Sequence, residues 1–284
     1  MYKYDLLTKF CLGIAFVFSI GILQAQSPKG KLFIIGGGDR SDNLLTHLLS
    51  ISELNTKDYI AILPMSSEEP DSSYIYINNQ LKKLTSNPVV MLNFDKTKAL
   101  NQKWTDSLQK AKLIFITGGD QTRFMNIVNN TPIKTAIHHA YQNGSTIGGT
   151  SAGAAVMCEH MITGNQKLNK EYSGTFDNIK YDNLETSEGL GLVKNVIIDQ
   201  HFLKRSRYNR LLSALVEFPT HIGIGIDEST AIIVRNNEIE VTGESEVIVV
   251  KNPKGIKKYK KNNLISIENL EMSIYKSEQK FKIK

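Results

Sequence analysis

Between residues 148 and 155 the chain reads Gly-Gly-Thr-Ser-Ala-Gly-Ala-Ala. This G-x-S-x-G pattern, followed by a helix-like run over 154–161, requires a strand before Ser151, a helix after it and a sharp turn at the serine itself. The hydroxyl then stands at a helix N-terminus, where unpaired N–H groups and the helix dipole favour developing negative charge. A nucleophile attacking a carbonyl needs that setting. A turn that merely packs a helix on a sheet uses the same small residues, so the reading depends on what else converges on Ser151.

Short apolar runs recur at 31–35 (KLFII), 59–63 (YIAIL), 89–94, 113–117 (LIFIT), 193–198 and 222–226. Several close on polar or glycine-rich loops: Gly36-Gly37-Gly38-Asp39, Gly118-Gly119-Asp120-Gln121, Asp199-Gln200-His201 and Asp227-Glu228. Helical patterns over 44–54, 73–84, 131–143 and 205–218 separate them. Apolar strands alternating with helices predict an α/β fold, a three-layer sandwich whose mostly parallel sheet is flanked by helices. Beyond residue 231, the runs AIIV, EIEV and EVIVV are separated by Asn236-Asn237 and Gly243-Glu244, which predicts a C-terminal antiparallel β-meander. The polar residues 164–188 read as a long surface loop or irregular insertion. No repeat or internal boundary is visible, so residues 27–284 are expected to form one domain.

Residues 1–26 have the pattern of a signal peptide. Lys3 and Lys9 precede the apolar run FCLGIAFVFSIGIL, and Gln24-Ala25-Gln26-Ser27 follows. The run falls short of the roughly 20 apolar residues of a membrane span. An exported protein, periplasmic or extracellular and without a stable span after cleavage, is the expectation. Cys158 is then the sole remaining cysteine. It reads as a buried residue of the elbow helix, and no intrachain disulfide can form. The net charge of +6 is concentrated in C-terminal lysines, expected to form a solvated basic tail. Few aromatics interleave with them, so no nucleic-acid partner is expected. With no H-E-x-x-H and no cysteine cluster, no metal or other cofactor is expected either. A homodimer is compatible with the chain, though nothing in the sequence requires one.

A serine nucleophile needs a base, and the base an orienting acid. Of the six histidines, His160 would lie about 13 Å along the elbow helix, out of reach. His47, His138 and His139 sit in helical stretches and read as surface residues. His221 precedes a strand and belongs at the far edge of the sheet. His201 directly follows an apolar strand, at the edge where α/β folds place chemistry. The acid can be Asp199, Asp227 or Glu228. One oxyanion N–H can come from the 118–120 loop at Gly119, the other from Ala152. Serine, histidine, acid is not the chain order of an α/β-hydrolase, so a different fold with convergent chemistry is implied.

Seven segments in collinear order carry a further resemblance: GGGD (36–39), TGGDQTR (117–123), GGTSAGAAVM (148–157), GLGL (189–192), IIDQHF (197–202), RSRYNRL (205–211) and GIGIDESTAI (223–232). Together they resemble the cyanophycinase family, grouped with peptidase E among serine peptidases on a class I glutamine-amidotransferase-like sandwich. The resemblance implies Ser151 as nucleophile, His201 as base and Glu228 as acid. It also implies a substrate pocket lined by Gln121, Asp199, Gln200, Arg205, Arg207 and Arg210. The family's substrate, cyanophycin, is polyaspartate with arginine on each β-carboxyl, and is cleaved to β-Asp-Arg dipeptides. Arginine forks suit its carboxylates, and Asp or Gln its guanidinium. An Asp-specific dipeptidase like peptidase E is the alternative enzyme. A catalytically silent exported binding protein for such polymers is the non-enzyme alternative. Amidotransferase chemistry fits less well, because it uses a cysteine where this chain has Ser151.

Overall fold

The computed structural model describes residues 27–169 and 171–283; the leader expected over 1–26 lies outside them. Strands β1 (Lys31–Ile35), β2 (Ile60–Leu63), β3 (Val89–Met91), β4 (Leu113–Ile116) and β5 (Thr146–Thr150) alternate with helices α1 (Asp42–Ser52), α2 (Pro70–Lys82), α3 (Gln102–Lys110), α4 (Gln121–Val128) and α5 (Pro132–Gln142). The five strands pair in parallel in the order β1-β5-β4-β2-β3. Side chains alternate across each strand. Phe33 and Ile35 enter a core with Leu45 and Leu48 of α1 and Leu81 of α2, whereas Leu32 and Ile34 enter the opposite core with α3, α4 and α5. Burial on both faces is why these strands are apolar throughout.

After α6 (Ala152–Ala155), β6 (His160–Gln166) and β7 (Leu184–Glu188) form an antiparallel ribbon. Next come β8 (Val196–Gln200), α7 (Tyr208–Glu217), β9 (Ile222–Ile226), β10 (Thr230–Arg235), β11 (Glu238–Gly243) and β12 (Val247–Lys251). The chain ends in β13 (Lys254–Tyr259), β14 (Leu264–Glu268), β15 (Glu271–Tyr275) and β16 (Lys280–Lys282). The mostly parallel, helix-flanked sheet is as the sequence predicts, and the C-terminal strands are antiparallel. They divide among three sheets, β13 and β14 pairing only with each other. β10, β11 and β16 extend the large sheet beyond β1, while β12 and β15 join β9 and β8 in a second sheet of order β15-β12-β9-β8. Val196, Ile198, Ile224, Ile226, Val247 and Val249 of this second sheet share a core with Leu32 and Ile34 of the first. Its outer face, through Ile197, Ile248 and Val250, packs on α7 and on Phe176 and Leu184.

Four local expectations are corrected. The elbow helix predicted over 154–161 is a single turn. The carbonyls of Val156, Met157 and Cys158 accept from Leu190, Leu192, Val193 and Gly191, so the GLGL segment takes the acceptors a longer helix would use. Residues 164–188 are not merely a surface loop, since both ends are strands and Phe176, Asn183 and Leu184 are buried. Helix α7 starts at Tyr208, later than the predicted 205. The basic tail is folded. β15 pairs with β12 and β16 with β11, leaving the lysines along β13 exposed.

Candidate active site

Ser151 follows β5 at the carboxyl edge of the large sheet, with φ 54° and ψ −110°. A non-glycine residue in this region is strained and is held there by its surroundings. Its N–H donates to Ile35 O of β1 at 3.1 Å, and its carbonyl accepts from Ala154 and Ala155. The flanking glycines permit the close packing of the turn. A Cβ on Gly149 would lie 2.7 Å from the carbonyl carbon of Gly153, and one on Gly153 would lie 2.8 Å from that of Ile116.

His201 comes from the other sheet, directly after β8, and its N–H donates to Gly36 O at 2.7 Å. Its Nε2 lies 2.8 Å from Ser151 Oγ, and its Nδ1 lies 2.6 Å from Glu228 Oε1. A neutral ring protonated on Nδ1 satisfies both contacts: Ser151 donates to Nε2, and Nδ1–H donates to the carboxylate. Burial holds the imidazole below its ordinary pKa. The Glu228 hydrogen bond opposes this shift, while the charges of Arg205 and Arg207 add to it. Glu228 sits on the turn after β9. The other two acids are engaged elsewhere. Asp227 accepts from Lys204 N and Ser245 Oγ, fixing the turn that follows His201, and Asp199 pairs with Arg210.

Two cavities flank the Ser151–His201 contact. One, of about 370 Å³, is lined by Gly119, Gln121, Gln200, Arg205, Arg207 and Arg210, and also by Asn165 and Tyr172. Gln121 gives its amide hydrogens to Ile162 O and Thr163 O, which leaves its side-chain carbonyl as its recognition group. Arg207 donates to Gln200 O and Oε1 at 2.7 and 2.8 Å and to Gly174 O at 3.2 Å. Burial, then the charge of Arg210, pushes its pKa down to about 10. Arg210 binds both carboxylate oxygens of Asp199 and reaches Gln200 Oε1 at 2.9 Å. Asp199 is fully buried and does not line the cavity, so it lies behind the wall as the partner that fixes Arg210. Arg205 is exposed and has no side-chain hydrogen bond among the described residues. The N–H groups of Gly119 and Ala152 likewise have no acceptor among the described residues.

The second cavity, of about 260 Å³, contains Arg40, Tyr76, Phe115 and Thr117 on the other side of Ser151. Sequence reasoning missed Arg40 and Tyr76. For Arg40 the signal was its position, directly after the loop that closes β1, at the edge where α/β folds bind ligands. Tyr76 lies inside α2 and carried no local signal. Two histidines read as surface residues are half-buried and bonded, His47 to Thr242 Oγ1 and His138 to Leu190 O. His160 stands on β6, not on the elbow helix, and stacks on Phe218.

A hydroxyl, imidazole and carboxylate joined in series at the edge of an α/β sheet is the arrangement of a serine hydrolase. The model of peptidase family S51 matches residues 32–242. The chain belongs to that family, and the protein is a serine peptidase. It is 32% identical over 241 residues to a cyanophycinase of Trichormus variabilis, covering 82% of this chain and 77% of the relative. With a cyanophycinase of Geminocystis herdmanii the identity is 37% over 201 residues, 69% of this chain and 70% of the relative. Among solved structures, a peptidase from an acI-B1 Actinobacterium superposes with a TM-score of 0.67 at 22% identity, covering 90% of this chain and 98% of that one. A putative peptidase E protein from Listeria monocytogenes gives 0.51 at 19% identity, over 76% and 99%. At these identities the two structures speak to the fold alone.

Proposed function

We propose that the protein is an exported peptidase that hydrolyses cyanophycin to β-Asp-Arg dipeptides through an acyl-enzyme on Ser151. The observation that carries this reading is the continuous contact from Ser151 Oγ through His201 to Glu228. His201 Nε2 takes the hydroxyl proton as Oγ bonds to the substrate carbonyl carbon. The oxyanion meets the free N–H groups of Gly119 and Ala152. The imidazolium, held by Glu228, passes its proton to the leaving nitrogen, and the C–N bond breaks. Water then gives a proton to His201 and its oxygen to the acyl carbon, and Ser151 regains its proton as the product leaves.

Substrate recognition falls to the larger cavity. Arg205, with no intramolecular partner among the described residues, offers a guanidinium to substrate carboxylates. Arg207 and Arg210, held by Gln200 and Asp199, present a fixed positive wall beside it. The side-chain oxygen of Gln121 faces the substrate's own guanidinium. Support for export is the leader pattern of residues 1–26. Outside the cell, the activity is suited to scavenging polymer rather than to managing an internal store.

The test is digestion of cyanophycin granules by the chain starting at residue 27 and by its Ser151→Ala variant, with analysis of soluble products. Release of β-Asp-Arg by the parent alone is expected. Labelling of Ser151 by a serine-directed probe without release would move the substrate to other Asp-containing peptides, as in the dipeptidase alternative. Neither release nor labelling would leave the binding-protein reading.

A further inference from the structure

The smaller cavity holds a cation that the reaction scheme does not use. Arg40 sits in its wall with the guanidinium carbon 5.0 Å from the centre of the Tyr76 ring. Its Nε and Nη2 both donate to Gln80 Oε1, at 3.2 and 3.0 Å, and Gln80 Nε2 donates back to Arg40 O. The side chain is therefore fixed by a neutral amide and an aromatic face. Its remaining N–H groups meet no carboxylate among the described residues, and the neighbouring, exposed Asp39 acts on it only through its charge. Every arginine in the opposite cavity wall that is buried has an anionic or amide anchor that consumes most of its donors. Arg40 is half-buried, has no ion-pair partner among the described residues, and lines the same cavity as Ser151.

We propose that Arg40, stacked on Tyr76, is the specificity-determining residue of a second subsite, which binds a carboxylate on the part of the peptide across the scissile bond from the arginine-rich cavity. This inference rests on the serine-peptidase reading with cyanophycin as substrate and adds the contact made by the departing portion. The two cavities meet at Ser151 and His201, which line both. A chain lying through them places its reacting carbonyl at Ser151 with one substituent on each side. A guanidinium whose stem is already immobilised gives a charge-assisted hydrogen bond at little further ordering cost. The tyrosine face helps to hold the guanidinium in place.

The experiment compares two dimers of β-Asp-Arg units, one with free carboxylates on its leaving unit and one with those carboxylates amidated. The readout is the ratio of their kcat/KM values for the parent protein and for Arg40→Met and Arg40→Glu. The parent is expected to favour the free carboxylate by about 10- to 100-fold, the worth of a hydrogen bond to a charged group. Arg40→Met should bring the ratio near one, and Arg40→Glu should invert it. Each ratio is internal to one protein, so a partly misfolded variant lowers both rates and leaves the ratio intact. Cleavage of both dimers at equal rates by the parent overturns the subsite while leaving the peptidase reading in place, as does an unchanged ratio in Arg40→Met. Failure of the parent to cleave either dimer overturns the cyanophycin reading and the subsite with it.

Discussion

Gly37 lies directly against the ring of His201: a Cβ on Gly37 would stand 2.5 Å from Nε2, the atom that meets Ser151 Oγ. The glycine also has φ +116°, a conformation that side chains strain to adopt. The loop after β1 is thus bare of side chains at the point where the imidazole must pass. Gly37→Ala is expected to push the ring off the serine and lower kcat by about 100-fold, the usual effect of a 1 Å misplacement. Steady-state kinetics check this, and circular dichroism should show the sheets intact.

The acidic limb of the pH profile follows from the same ring. His201 must be neutral to accept the serine proton, and its environment disfavours the protonated form. A lowered pKa keeps the base neutral to lower pH, so the acidic limb of kcat/KM should fall below pH 6.5, the ordinary histidine value. Arg205→Gln removes a cation that opposes protonation and should move that limb upward. Glu228→Gln removes a group that favours protonation and should move it downward, with kcat lower by on the order of 1000-fold. Rate profiles of the three proteins test the signs. A limb that moves the opposite way in Arg205→Gln would sink the electrostatic account.

The Asp199–Arg210 pair is fully enclosed, with exposures of 0% and 2%. Removing one partner strands a buried charge, so Asp199→Ala should cost about 3–5 kcal/mol in unfolding free energy. The double change Asp199→Leu with Arg210→Met should recover most of that stability but not the activity, because Arg210 also lines the cavity. Urea unfolding of the single and double variants reads the first part, and cyanophycin digestion the second.

Cys158 is completely buried, and burial pushes its thiol up to about 11. A thiol that is neutral and enclosed does not react. Native protein starting at residue 27 should therefore resist a maleimide for as long as it stays folded, and should label fully in denaturant. Rapid labelling of the native form would show that the 156–158 turn opens.

The parallel strands and their edge loops were legible because each is a short apolar run ended by glycine or a polar residue, as in 31–39 and 113–121. Ser151 was legible from its G-x-S-x-G motif, and His201 and the three candidate acids from their places at the ends of such runs; the family resemblance, not the local pattern, singled out Glu228 among the acids. What the sequence hid was set by distant partners. The elbow helix ends early because residues 190–193 claim its acceptors, and no local feature of 156–161 announces that. α3 has Trp104 and Leu108 as its only apolar residues and buries the polar Thr105 beside Leu108, so its apolar pattern is short. The division of the late strands among three sheets depends on which edges are free, a property of the whole fold. Asp199 looked like a pocket residue in its motif, and only the packing of α7 shows that its carboxylate faces inward to Arg210.

Ser151 hangs from the large sheet and His201 from the second one, while Glu228 sits on the short turn that carries the chain from β9 of the second sheet into β10 of the first. Relative sliding of the two sheets would strain the contacts that cross between them, the 2.8 Å between serine and imidazole and the 2.7 Å from His201 N–H to Gly36 O. The working site is in this sense a joint between two rigid plates, with the Leu32, Ile34, Ile198 and Ile224 side chains as its bearing surface. Residues in that seam, far from any substrate, help to set the distance on which proton transfer depends.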